Sequence, residues 1–473
     1  EDAEAQLAQI GGVETDALFA RALEVEGAVY AVGASLLPPL LNDIPAAARQ
    51  PYQPFEALHH LEIEWKGESI ELRPLVILDD AHTLHPDQFE GLFRTLSRRE
   101  IRIGRWVMMR LDALSPRAVF RSRGEESLPG LKPDRDYIDI FMQSEGEREV
   151  DRRRFRRMAI DMANRYLPLV KPLRDRNFTE FGHLLSEEPP TLTQGRLKEL
   201  LDAVAKDQRR LVVTDERRAR IEDIIARYVK GAKNIDLGED VRLAMARVLM
   251  HRYAVRTAHQ PSLFDDPEPL RPLIAKSDVA EAGRLYLHDR FERPLHYGLD
   301  TVCDASNENA ELFLQLAGAL VERMETRAIR NQDPALSPAQ QQAALRERAA
   351  QAIEGWSYPY ARKVKALVEH IAQRCHETSL LPNARLGAGA NAVGIPERDM
   401  ELLLADGSEI AEVLKYAIAY SGLVAVRDYG QGGKNWCLLE LPGTACLSYG
   451  LTLKRGGFLE WRAEQLAEII EQV

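Results

Sequence analysis

Pro74-Leu75-Val76-Ile77-Leu78-Asp79-Asp80 is the stretch whose reading decides the fold. Four consecutive aliphatic residues ahead of two carboxylates predict a strand of a parallel sheet, buried on both faces. His85-Pro86-Asp87 then opens a helix, with proline and an acid in its first turn. Phe89, Leu92, Phe93 and Leu96 recur at helical spacing and form its apolar face. Arg105-Trp106-Val107-Met108-Met109-Arg110-Leu111 reads as a second buried strand. Strand, helix, strand with short links is the signature of a βαβ unit. Upstream, Leu61 to Trp65 and Ser69 to Leu72 alternate apolar and polar residues around Lys66-Gly67, which predicts a hairpin. Residues 1 to about 50 read as helical and alanine-rich, ending in the loop Leu37-Pro38-Pro39.

The acidic pair at the end of the first buried strand carries a chemical expectation. In nucleotide hydrolysis a Mg²⁺ ion must be held opposite the β- and γ-phosphates, and a carboxylate at the C-terminal end of a central strand does this directly or through water. Asp79 suits that role, and Asp80 suits the orientation of the attacking water. The alternative is that both acids only cap the following segment. Arg110 and Asp112 end the second strand, where a polar side chain either senses the γ-phosphate or forms a surface ion pair. Arg117 and Arg121 follow, placed as an arginine finger would be or as exposed structural arginines, and Arg165 joins them as an expected nucleotide contact. His82 and His85 stand in His-x-x-His spacing with no further ligand group in the sequence nearby, so surface histidines are expected.

From residue 150 onward the pattern is nearly all helical. The helix Arg152 to Leu167 places Phe155, Met158, Ala159, Met162 and Tyr166 on one face and a run of arginines at 152–154, 156 and 157 on the other. Acids at 145, 147, 149 and 151 precede that run, which predicts a solvated face with local ion pairs. Further amphipathic stretches cover about 192–206, 214–230, 239–256, 277–292 and 308–328, with linkers at Pro261 to Pro272 and Asn331 to Pro338. The last part changes character. A helix over Ala361 to Cys375 points Val364, Leu367, Val368 and Ile371 inward, and a second runs from Glu409 to Ser421. Two strands follow, Leu423 to Arg427 and Trp436 to Leu441, joined by a Gly-rich link over 428–434. Helices ahead of a Gly-rich β-hairpin predict a winged helix-turn-helix.

Composition narrows the classes. With 473 residues, 45% hydrophobic and 29% charged, the chain supports several domains with buried cores. No apolar run approaches a membrane span, and the first forty residues lack the basic flank of a signal peptide. Cys303, Cys375, Cys437 and Cys446 have neither Cys-x-x-Cys spacing nor histidine partners, so reduced, buried thiols in a cytoplasmic protein are expected. A net charge of −11 excludes a protein coated over its whole surface with nucleic acid but leaves room for one small DNA-binding module. Residues 358–473 hold 12 basic and 14 acidic residues, a net −2, whereas duplex-binding modules are clearly positive. Arg427, Lys434 and Asn435 remain the expected phosphate contacts of the wing, and winged helices also bind proteins.

Leu75 to His82, the strand to Leu111 and the helical segment to Leu167 resemble an AAA+ core with its helical lid. Leu285-Tyr286-Leu287-His288-Asp289-Arg290-Phe291, His296-Tyr297-Gly298-Leu299-Asp300-Thr301 and Ser306-Asn307-Glu308-Asn309 are similar to a stretch in bacterial ATPases related to origin-recognition and cell-division-control initiators. The resemblance spans 60 to 473, with specificity confined to the acidic strand and 285–309. It implies a mainly helical protein made of an α/β P-loop core (1–150), a helical lid and connecting helices (151–260), a helical domain (261–345) and a winged helix (346–473). It implies ATP and Mg²⁺ as cofactors, ATP hydrolysis as the activity, and an oligomer or an effector complex that switches on double-stranded DNA, with anti-phage defence as the setting. Two departures stand out. Many members carry Glu where this chain has Asp80, and no Gly-x-x-x-x-Gly-Lys-Ser/Thr occurs anywhere. The chain begins with Glu1, and the expectation is that the phosphate loop precedes it. A DNA-binding regulator with structural nucleotide, and a non-enzymatic scaffold, are the rival readings.

Overall fold

The computed structural model describes residues 7–34, 60–120, 149–232, 236–256 and 273–472, with gaps at 385, 387–389, 405–406 and 455, and isolated positions within 37–44 and 132–142. It is mainly helical with small sheets and divides into two compact units, one of residues 1–113 and 126–138, the other of 114–125 and 139–473. The segments expected at 151–260, 261–345 and 346–473 all fall within the second unit. The linker expected at Pro261 to Pro272 and the acids at 145 and 147 lie outside the described residues.

In the first unit, α1 (Thr15–Gly33) buries no residue. Strands β1 (Leu61–Trp65) and β2 (Glu68–Leu72) form the expected antiparallel hairpin, with Ile63 opposite Ile70. Its tip is Lys66-Gly67, both at positive φ. Strand β3 (Leu75–Leu78) pairs in parallel with β4 (Gly104–Val107) through the helix α2 (Pro86–Leu96), so the βαβ unit is present. His85 caps α2 in a capping box with Gln88, and proline opens its first turn.

The burial of these two strands departs from expectation. Val76, Leu78, Leu92 and Val107 pack on a small core of Leu96, Ile101 and Ile103, while Leu75, Ile77, Trp106 and Met108 are exposed. Side chains alternate across a strand, and α2 covers only one face of the pair. The sheet is therefore buried on one side among the described residues, where the aliphatic run predicted two.

The second unit starts with a short helix α3 (Pro116–Val119), then α4 (Glu149–Tyr166) and α5 (Lys171–Arg174). The buried stripe of α4 is Phe155, Ala159 and Ala163, at i, i+4 spacing, while Met158 and Tyr166 are exposed. The stripe is thus rotated from the expected one. Helices α6 (Gln194–Arg210), α7 (Asp215–Gly231), α8 (Glu239–Arg256) and α9 (Ser277–Phe291) build one core around Val204, Ile221, Met245, Leu249 and Leu285. Thr193 and Thr214 cap α6 and α7 with their hydroxyls. Helices α10 (Leu299–Ala305), α11 (Ala310–Ile329) and α12 (Pro338–Glu354) close a second core with α4, around Phe155, Phe313, Leu320 and Leu345. Ser337 and Gln340 form the capping box that starts α12.

The C-terminal part runs α13 (Ala361–Ser379), β5 (Ala392–Pro396), α14 (Glu397–Leu403), α15 (Glu409–Ala419), β6 (Val424–Gln431) and β7 (Lys434–Glu440). After these come α16 (Gly443–Tyr449), β8 (Leu459–Glu460) and α17 (Ala463–Glu471). The sheet order is β6-β7-β5-β8, antiparallel except for the β5–β8 pair. Val364, Leu367, Val368 and Ile371 are fully buried, as their spacing predicts. The hairpin is longer than expected: Gly432 and Gly433, both at positive φ, make a two-residue turn, and Asp428 to Gln431 belong to β6 instead of the link.

Candidate functional site

The acidic pair leaves β3 at its C-terminal end. The backbone ladder continues past it, since the Met108 amide donates to the Leu78 carbonyl (2.8 Å) and the Ala81 amide to the Met108 carbonyl (3.0 Å). This pins the chain on either side of Asp79 and Asp80 against β4. Asp80 takes the left-handed conformation (φ 53°, ψ 33°), which short polar residues tolerate best after glycine. Its amide donates to Asp79 Oδ1 (2.9 Å), and its carbonyl accepts from the Thr83 amide and hydroxyl. The Asp80 carboxylate is left outward, with 75% of the side chain exposed.

Arg110 stands just beyond the end of β4, with Nη2 3.4 Å from Asp112 Oδ2. The 3-10 turns Ala81–Thr83 and Leu111–Ala113, which follow the two strands, lie against each other. Parallel pairing therefore brings Asp79, Asp80, Arg110 and Asp112 to one edge, the C-terminal end of the strands, where ligands of open α/β sheets sit. His82 lies in the same place and is not the surface residue its spacing suggested. Its side chain is only 11% exposed, 3.8 Å from Asp80 Oδ1, and its Nδ1 makes no hydrogen bond. His85 does face solvent, and its ring accepts from the Asp87 amide as part of the cap. Among the described residues no group of three or more His, Cys, Asp or Glu side chains is arranged to hold a metal by protein ligands alone.

The other expected nucleotide contacts lie elsewhere. Arg117 is on α3, where Nε donates to the Leu404 carbonyl (3.4 Å). Arg165 is exposed in the last turn of α4 and pairs with Asp161 (2.9 Å). Arg121 is outside the described residues. The arginine run on α4 is not a purely solvated face. Arg156 grips Asp304 through two bonds (2.7 and 3.0 Å) and Asp300 (2.7 Å), so it ties α4 to α10.

Of the wing residues, Lys434 and Asn435 are exposed beside the two-glycine turn, with Lys434 Nζ 5.9 Å from the Trp436 ring centre. Arg427 is placed differently. It is largely buried and donates to the Glu397 carboxylate and to the Phe120 carbonyl. All four cysteines are buried and free, as expected, and burial pushes their thiols up to about 12.

Two polar clusters escaped the sequence reading. In the first, Asp207 of α6 accepts from His251 (2.9 Å) and Arg247 (2.8 Å) of α8 and pairs with Arg210 (3.1 Å). In the second, Arg293 is 2% exposed and pairs with Asp236 (2.6 Å) and Asp240 (2.8 Å). Beside it Glu281 binds Arg284 (2.9 Å), Thr452 (2.8 Å) and Lys454 (3.5 Å). Burial pushes the Glu281 carboxyl up, but Lys454, Arg284 and Thr452 outweigh it and hold it below the ordinary range. These partners come from distant parts of the chain, and no local spacing announces them.

The 285–309 stretch sits beside this cluster and joins the helical body to the C-terminal part. His296 Nε2 meets the Leu451 carbonyl (2.8 Å), and Asn307 Oδ1 accepts from the Gly443 amide (2.5 Å). Burial drives His296 down to about 4. No protein-family model, no curated protein and no solved structure matches the chain.

Proposed function

We propose that the chain is an AAA+-type ATPase that works as a nucleotide-driven switch in a DNA-linked assembly. One observation carries the reading: parallel pairing of β3 with β4 sets Asp79, Asp80 and Arg110 on the same C-terminal edge. Mg²⁺-ATP bound there would be held through Asp79, with Asp80, whose carboxylate faces outward, orienting the attacking water and Arg110 placed to sense the terminal phosphate. The triphosphate needs a nest of backbone donors besides, and the 473 residues hold no Gly-x-x-x-x-Gly-Lys-Ser/Thr loop to supply one. A winged-helix reading of the C-terminal part draws support from the order helix, strand, two helices, hairpin and from the three-stranded sheet β6-β7-β5. A cytoplasmic role in bacterial anti-phage defence rests on the resemblance of 285–309.

A second reading, a protein-interaction scaffold, is favoured by the net −2 of residues 358–473 and by the internal pairing of Arg427. The test is ATP turnover by the full-length protein, with and without duplex DNA, beside an Asp79→Ala, Asp80→Ala double variant. Turnover that vanishes in the variant supports the ATPase. Absence of both nucleotide binding and turnover in the intact protein removes it and leaves the scaffold.

A further inference from the structure

We infer that the segment Leu114 to Phe120 is a built-in cover for α15, which keeps that helix from a DNA duplex until the segment is displaced. The inference rests on the winged-helix reading above, in which α15, the second helix before the hairpin, is the one offered to the major groove. A groove-reading helix needs an exposed polar face. Here Ala411, Val413, Leu414, Lys415 and Ala417 are all buried, and Glu409 at the first turn, itself paired with Lys363, is the one exposed residue of the helix. Even the Lys415 ammonium is turned inward, 2.6 Å from Glu412 and 4.7 Å from the Tyr416 ring centre.

Helices α13 and α17 account for part of that burial, and α3 packs on α15 as well. Leu114, Pro116, Ala118 and Phe120 are buried while Ser115 and Arg117 face out. Phe120, 1% exposed, enters the same core as Val413, Leu414 and Ala417. Ser115 caps the turn through the Ala118 amide (3.3 Å), and Arg117 and Arg427 fasten it by way of the Leu404 and Phe120 carbonyls. Arg427 is the point of competition. The guanidinium expected on a DNA phosphate is spent on Glu397 and on the cover, so cover and duplex exclude each other at that side chain. The cover also continues directly from the turn Leu111–Ala113, which carries Asp112 beside Arg110.

The experiment uses the full-length protein with Phe120→Ala and, separately, Ala118→Arg, which dislodges the segment by bulk and leaves the phenyl ring in place. Amide hydrogen exchange over 411–419 reports the cover, and the anisotropy of a labelled duplex of about two helical turns reports DNA. Protection of α13 certifies that the module is folded, and the variant that retains it decides. The expected result is exchange faster by at least about tenfold over 411–419 and DNA affinity raised by at least about tenfold, both relative to wild type. Unchanged exchange over 411–419 in a folded variant overturns the cover, whatever the DNA result. Faster exchange with no gain in DNA affinity overturns the inference as a DNA switch. If neither wild type nor variant binds duplex at all, the DNA-binding reading of the C-terminal part fails with it.

Discussion

Arg427 of β6 donates to the backbone carbonyl of Phe120, a residue 307 positions earlier in the chain. The same guanidinium holds Glu397 at the start of α14. One side chain thus joins the segment that leaves the α/β unit to the C-terminal sheet.

Arg427→Ala should destabilise the C-terminal part strongly. It leaves Glu397, whose side chain is 13% exposed, without its cation. Breaking a buried pair from one side costs about 3 kcal/mol. The double variant Glu397→Gln, Arg427→Met should recover part of that loss, because no unpaired charge remains. Thermal melting of both variants is the check, and equal melting of Arg427→Ala and wild type would contradict the pairing.

Acid should weaken the protein through His296. Its folded value of about 4 lies below the ordinary value, so it is neutral in the fold and takes up a proton on unfolding. The stabilisation is fully present above the unfolded value, near 6.5, and is lost as pH falls toward 4. At pH 5 the loss is about 2 kcal/mol. Melting of the wild type should therefore fall between pH 7 and 5, and the fall should be smaller in His296→Gln. Equal slopes would place the titration elsewhere.

Two glycines should respond in opposite directions to alanine. A Cβ on Gly443 would lie 2.2 Å from the Ala305 carbonyl oxygen, a clash of backbone against backbone. Gly443→Ala should cost several kcal/mol or unseat α16, whereas a Cβ on Gly318 in α11 meets nothing within 4 Å. Gly318→Ala should stabilise by up to about 1 kcal/mol. Chemical denaturation of the pair separates the two effects.

Asp80 has two separable roles, a backbone in the left-handed region and an outward carboxylate. Asp80→Gly should retain the fold while removing the carboxylate, and Asp80→Val should cost about 1–2 kcal/mol more because a branched side chain resists that conformation. If ATP turnover is present and survives Asp80→Gly undiminished, Asp80 does not orient the water.

Thiol reagents should find little to react with in the folded protein. All four cysteines are buried, with thiols pushed up to about 12. The thiolate is the reactive form. Labelling should be slow at neutral pH and reach four per chain on unfolding. Prompt labelling of any one of them in the native state would contradict its burial.

Periodicity alone carried the elements whose cause is local. The run Leu75 to Leu78, the cap at His85, the hairpin around Lys66-Gly67 and the inward face of α13 all follow from side-chain alternation, helical spacing and turn chemistry within a few residues. The side-by-side placement of the two strands was legible too, because strands joined by one crossover helix are set next to each other by that short connection. Tertiary structure decided the rest. Whether Ile77 is buried depends on what lies over the sheet, and nothing in Leu-Val-Ile-Leu states that only one face is covered. The inward turn of Arg427, the closing of Asp236 and Asp240 around Arg293, and the burial of His296 against Leu451 join residues far apart in the chain. Such pairs form because a charge or ring removed from water must find a partner wherever packing leaves one, and sequence spacing does not record where that will be.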